Sequence, residues 1–328
     1  MNVHWISPAG VERHQVEDLK SLLAREDGFV WVDSSECDEQ ASRVLLEVFG
    51  FHPIAVQECH DRMRIPKVHP YADHLFVILH APDPGMDGYI DLLELDQFIG
   101  RRYLVTVHGP LDEDIPLDAA LRETQTVLQR IETGRYRPRF PAELSYTIVS
   151  AITRRMATLV SAFAGKIAAL DRQIMKGHIA DPEQVLETMF QLRHGLLTLR
   201  TIAAQSREVY ARIKALPPRF VPSEERQFTE DLMDQFDRVW NISDREQEFL
   251  QGVIDFYQNR TITKLNIAME RLALITVLLL PITAIASIYG MNIIVFERTS
   301  LVQLGIVIAM IGIIIAVVFW WTKRQKWW

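Results

Sequence analysis

Two stretches of the chain carry no charged side chain at all: LALITVLLLPITAIASIY from Leu272 to Tyr289, and LVQLGIVIAMIGIIIAVVFWW from Leu301 to Trp321. At 1.5 Å per helical residue, each is long enough to cross a hydrocarbon core of about 30 Å. The pattern predicts a two-helix transmembrane hairpin: a first span over 272–289, a loop over 290–300 and a second span over 301–321. Before Arg271 the apolar residues are spaced differently. GFVWVDS (28–34), HLFVILH (74–80), IDLLELDQFIG (90–100) and RYLVTVHG (102–109) are rich in β-branched and aromatic residues and read as strands. VEDLKSLLARE (16–26), EQASRVLLEVF (39–49) and LDAALRETQTVLQRI (117–131) repeat their apolar residues at three and four and read as helices. Residues 1–140 are therefore expected to form a domain of mixed helices and strands.

From Pro141 the pattern is almost wholly helical. One helix is expected to end at Gly177. Asp181 and Pro182 supply a cap and a first-turn residue for a second, which Pro217 and Pro218 stop, so that 141–218 is a helical hairpin. Ser223, Glu224 and Glu225 offer the next helix start. From there to Leu280 there is no proline and one glycine, Gly252, so a single helix of on the order of 90 Å is expected, with 219–271 as a stalk ahead of the first span. Phe228, Leu232, Phe236 and Val239, then Phe249, Val253, Phe256 and Tyr257, give it an apolar stripe that needs cover from the hairpin or from copies of itself.

Charge orients the hairpin. Lys323, Arg324 and Lys326 follow the second span and Arg260, Lys264 and Arg271 precede the first, whereas the loop between them has only Arg298. Basic residues favour the cytoplasmic side, so both termini are expected there, with 322–328 as a basic tail. Trp320, Trp321, Trp327 and Trp328 suit the headgroup boundary on that side. The opening MNVHWISPAG lacks a basic segment followed by an apolar one, so no cleaved secretory signal is expected. The net charge of -7 speaks against nucleic acid as a partner and is compatible with attracting cations. Cys37 and Cys59 form no CxxC pair and read as reduced and structural. There is no P-loop, HExxH or GxSxG, so an enzyme is not expected.

Candidate chemistry lies in the first span. Steps of seven from Met269 reach Thr276 and Thr283, and the same steps from Ala273 reach Leu280 and Ser287, so three hydroxyls share one narrow face with apolar neighbours. Such hydroxyls either bond back to the preceding turn or offer oxygen to a passing ion. Pro281 removes one backbone hydrogen bond in mid-span. Asn292 either caps the helix or contributes its carbonyl oxygen to a ring around a hydrated cation. Mg²⁺ suits that ring, because it keeps its water shell and can be recognised through it by neutral acceptors.

The tetrad Tyr289, Gly290, Met291, Asn292, preceded by LLLPITAIASI and followed by a second span and a basic tail, resembles the CorA-type magnesium transporter family. KVHPYADHLFVILH and GRRYLVTVHG in the first part of the chain are similar to it as well. The resemblance implies an α+β class chain: a cytoplasmic αβα funnel, a long stalk helix continuous with the first span, and a transmembrane hairpin, assembled as a homopentameric channel in the lipid bilayer of a bacterial inner membrane. It further implies a selectivity filter of Gly290, Met291 and Asn292, a hydrated-ion station at Thr283, and constrictions at Met269, Leu272 and Leu280. With Thr276 and Ser287 from the stripe, these residues are the expected pore lining. Mg²⁺ is implied as cargo and as regulator, with no resident cofactor, and Asp231 matches in register a stalk carboxylate that holds regulatory metal. The chain departs from the family at Ser287, where a glycine is common, and in its loop, where IIVFERTS supplies only Glu297. A zinc-transporting branch of the superfamily and a membrane-anchored helical structural protein are the alternatives; His69, His74 and His80 lack the four-residue spacing of a helix-borne metal pair.

Overall fold

A computed structural model describes residues 1–85, 88–111, 115–176, 181–290 and 301–324. The chain forms two compact units, Met1–Val253 and Ile254–Trp328. The first is built on strands β1 (Asn2–Ser7), β2 (Gly10–His14), β3 (Phe29–Ser34), β4 (Lys67–Pro70), β5 (His74–Pro84), β6 (Ile90–Gly100) and β7 (Tyr103–His108). Helices α1 (Leu19–Leu23), α2 (Glu39–Glu47), α3 (Pro53–His60), α4 (Leu117–Glu132), α5 (Pro141–Lys176) and α6 (Pro182–Lys214) accompany them. Helix α7 (Arg226–Gly290) runs from the first unit into the second, which also contains α8 (Leu301–Arg324).

The seven strands form one sheet in the order β2-β1-β3-β7-β6-β5-β4, antiparallel throughout except for the β3–β7 pair. All four expected strands are present. Three more, β1, β2 and β4, lacked a legible pattern: β1 is buried on both faces and so does not alternate, and β4 is a four-residue edge. Pro82 and Pro84 are tolerated inside β5 because β4 pairs only with Leu75–Ile78, leaving the far end of β5 an edge. The helix expected over 16–26 is a correction. It is a 3-10 turn, Val16–Asp18, followed by a helix that stops at Leu23. The chain must reach Gly28, where a Cβ would stand 2.9 Å from the Trp5 ring, and only a bare backbone fits that approach.

On one face, α1, α2 and α3 cover the sheet through a core that includes Trp5, Leu45, Val56, Phe76, Phe98 and Val105. Phe51 stacks on Phe98 at 4.2 Å, and each such buried side chain contributes roughly 1.5–3 kcal/mol. On the other face α5 and α6 pack over the β4–β7 half, so the first unit has helix, sheet and helix layers. Asp181 caps α6 by accepting from the N–H groups of Glu183 and Gln184, with Pro182 behind it. Gly195 of α6 lets Phe163 of α5 approach to where a Cβ would stand 2.6 Å from its ring. Arg155 of α5, 8% exposed at its side chain, joins Glu123 of α4 at 3.1 Å to Asp83 of β5.

Helix α7 starts at Arg226, three residues beyond the expected Ser223, because a turn closed by the Glu225 N–H on the Pro222 carbonyl occupies that position. Leu232, Phe236, Val239 and Val253 are buried, as the stripe predicted, and so is Leu250, which lay outside it, while Phe249 and Phe256 of the stripe are exposed. The polar stretch between them is used: Arg200 of α6 pairs with Asp244 at 3.1 Å. Among the described residues, α7 is the one helix long and apolar enough to cross a membrane, and Gly305–Trp321 of α8 is a shorter apolar stretch.

Candidate functional site

The helical run of α7 through Pro281 to Gly290 sets the geometry of the candidate face. At about 100° per residue, Met269, Leu272, Thr276, Leu280, Thr283 and Ser287 fall within an arc of about 80°. All six are exposed in the isolated chain, Met269, Leu272 and Leu280 by 63%, 64% and 64%. Every side chain from Thr261 to Ala273 is likewise exposed. Leu274, about 140° around the helix from Met269, is buried at 8%. Among the described residues, nothing covers the face that carries the hydroxyls.

Both threonine hydroxyls bond back along the helix. Thr276 Oγ1 donates to the Leu272 carbonyl and Thr283 Oγ1 to the Leu279 carbonyl, each at 2.9 Å. Of the two options open from sequence, the back-bond is the one formed, and it does not remove the other. A hydroxyl has one proton and two lone pairs, so a donor spent inward leaves an acceptor facing outward. An acceptor is what the water shell of a metal ion requires, because those waters point their protons away from the ion. Pro281 has no N–H for the Val277 carbonyl, which leaves a further acceptor in the same span. Gly290 ends α7; Met291 and Asn292 lie outside the described residues.

Asp231 sits on the first-unit part of α7. Tyr146 Oη of α5 donates to its Oδ2 at 2.7 Å, and Gln235 Nε2 donates to the same oxygen at 2.6 Å. Gln235 also binds Ser150 at 3.1 Å and accepts from Thr153 at 2.6 Å, so Asp231 belongs to a network that knits α7 to α5. Tyr146 had no signal in the spacing, whereas Gln235 stands four residues on along the same helix, where side chains meet. No group of three potential metal ligands occurs among the described residues.

The three histidines have structural partners. His74 Nδ1 is 2.8 Å from Asp73, and His80 Nε2 donates to the Met63 carbonyl at 2.7 Å, with burial pushing the pKa of both rings down. His69 Nε2 lies 4.0 Å from Glu58.

Comparison with known proteins finds relatives over most of the chain. The cobalt/magnesium transport protein CorA of Thermotoga maritima is 22% identical over 289 residues, covering 86% of this chain and 78% of that protein. The protein of the same name from Methanocaldococcus jannaschii is 23% identical over 299 residues, covering 91% of each. The complete structure of the M. jannaschii CorA magnesium transporter superposes with a TM-score of 0.82 at 20% identity, over 100% of this chain and 99% of that one. The family model described as CorA-like Mg2+ transporter protein matches residues 26–324, and the chain belongs to that family.

Proposed function

We propose that this chain is the subunit of a homopentameric channel that admits Mg²⁺ across the inner membrane down its electrochemical gradient. The observation that carries the proposal is the 80° face of α7: hydroxyl acceptors alternate there with Met269, Leu272 and Leu280, all of them exposed among the described residues. Such a face is at home where copies of one helix surround a common axis. Rings of methionine and leucine then narrow the path and dewet it, and rings of threonine and serine oxygen hold the ion through its waters. Gly290, Met291 and Asn292 form the filter at the outer mouth, where neutral oxygens hold Mg²⁺ weakly enough to release it.

Membership of a transporter family and likeness to proteins named cobalt/magnesium transport proteins support this reading. The excess of basic residues flanking both spans supports a topology with the first unit and both termini in the cytoplasm. No nucleotide is needed: roughly 2.3 kcal/mol per charge per 100 mV gives about 4.6 for a divalent ion entering an inside-negative compartment. Regulation by cytoplasmic Mg²⁺ uses Asp231. Carboxylates on neighbouring subunits repel unless a divalent ion bridges them, so falling Mg²⁺ loosens the assembly and opens the pore.

Flux into proteoliposomes tests the proposal, comparing Mg²⁺ with Zn²⁺ under an imposed voltage or a proton gradient. Voltage-driven Mg²⁺ entry, abolished by Asn292→Ala with the oligomer intact, is expected. Unchanged flux in that variant refutes the filter, and Zn²⁺ entry driven by protons assigns the chain to the zinc branch.

A further inference from the structure

Four arginines converge on one cleft of the first unit. Its volume is about 1020 Å³, and Arg130 of α4, Arg154 of α5, and Arg238 and Arg245 of α7 line it together with Tyr146 and Gln235. No aspartate or glutamate lines it. Among the described residues none of the four guanidinium groups forms an ion pair: Arg130 lies 5.4 Å over the Tyr136 ring, and Arg245 Nε donates to the Asn241 carbonyl at 3.4 Å. Elsewhere in the unit Arg155, Arg200 and Arg207 are paired with carboxylates. The chain has 42 acidic residues against 35 lysines and arginines, so four unpaired arginines around one hollow are not a shortage of acids.

We propose that this cleft binds a small oligophosphate, such as the phosphate chain of a nucleoside triphosphate. A guanidinium fork matches two phosphate oxygens at once, and four forks present more donors and more charge than one phosphate group can answer. A single phosphate of about -2 leaves half the charge uncompensated, whereas a chain of phosphates spans the cleft and neutralises it. The volume lies at the upper end of the range for small-molecule sites, which leaves room for more than inorganic phosphate. Arginines from α4, α5 and α7 would then share one ligand, and that ligand would bind the first part of α7 to the layer it packs on, beside the Asp231 network. Metal-free oligophosphate fits better than its Mg²⁺ complex, because the ion already cancels two of its charges. Binding does not depend on the transport reading, although a site emptied by Mg²⁺ suits a magnesium-responsive protein.

Calorimetry on the full chain in detergent tests the proposal, with sodium tripolyphosphate, ATP and inorganic phosphate titrated separately in EDTA. Tripolyphosphate and ATP are expected to bind within about threefold of one another, and phosphate at least about a hundredfold more weakly. Arg154→Gln with Arg238→Gln should weaken tripolyphosphate at least about tenfold, and both added salt and added Mg²⁺ should weaken it in the wild type. Absence of tripolyphosphate binding to the wild type, or phosphate binding as tightly, overturns the assignment. A double variant that binds normally does so too. So does one whose particle mass falls, because the arginines then hold a neighbouring copy.

Discussion

The phenol of Tyr146 donates to Asp231 Oδ2 at 2.7 Å, so the carboxylate matched to a regulatory metal ligand also fastens α7 to α5. The two roles separate by substitution. Tyr146→Phe removes the fastening and is expected to cost roughly 1.5 kcal/mol of stability while leaving Mg²⁺ protection against proteolysis in place. Asp231→Ala should lose both. Equal loss of protection in the two variants would show that Asp231 acts through packing and holds no metal.

The outward lone pairs of Thr276 and Thr283 predict a split between two conservative changes. Thr283→Val keeps the shape and removes the acceptor, and is expected to lower Mg²⁺ flux several-fold in proteoliposomes. Thr283→Ser keeps the acceptor and should conduct close to wild type. Because each hydroxyl already bonds within its helix, neither change should alter oligomer mass.

Glu94 and His80 face each other across β5 and β6 and clasp Met63: the Met63 N–H donates to Glu94 Oε2 at 2.6 Å and its carbonyl accepts from His80 Nε2 at 2.7 Å. Burial pushes the Glu94 carboxyl up from 4.5 to about 7, and burial together with Glu94 pushes its neighbour Asp96 up as well. Between those values the folded chain holds a proton that the unfolded chain has released. The stability this proton gives is therefore full at low pH and is lost as pH rises through about 7. Glu94→Gln still accepts from Met63 and does not ionise, so its melting temperature should exceed that of the wild type at pH 8 and match it near pH 5. An equal difference at both pH values would refute the buried proton.

Cys37 is drawn down to about 7 by the Cys59 thiol, with help from Ser42 and His60, while burial pushes Cys59 up. Alkylation followed by mass spectrometry should show Cys37 modified with a half-maximal rate near pH 7 and Cys59 modified only after unfolding. Faster labelling of Cys59 in the native chain would contradict this asymmetry.

Periodicity made the central strands, α4 to α8 and both apolar runs legible, because each long element repeats its own burial pattern without help from its partners. The strands hidden from it were those whose burial is set by neighbours: β1, covered on both faces, and the short edges β2 and β4. The candidate face was legible for the same reason as the helices, since a seven-residue step along one rod returns to one side whatever surrounds it.

Tertiary structure decided what spacing does not encode. Gln235 reaches Asp231 from four residues along the same helix, but Tyr146 lies 85 residues away, and only the packing of α7 on α5 brings it to the same oxygen. Four arginines scattered from 130 to 245 share a cleft only because α4, α5 and α7 converge there. A sequence specifies which side of each helix is apolar through local repetition. Which groups meet across helices depends on how those sides pack, and that is settled by shape and burial over long separations.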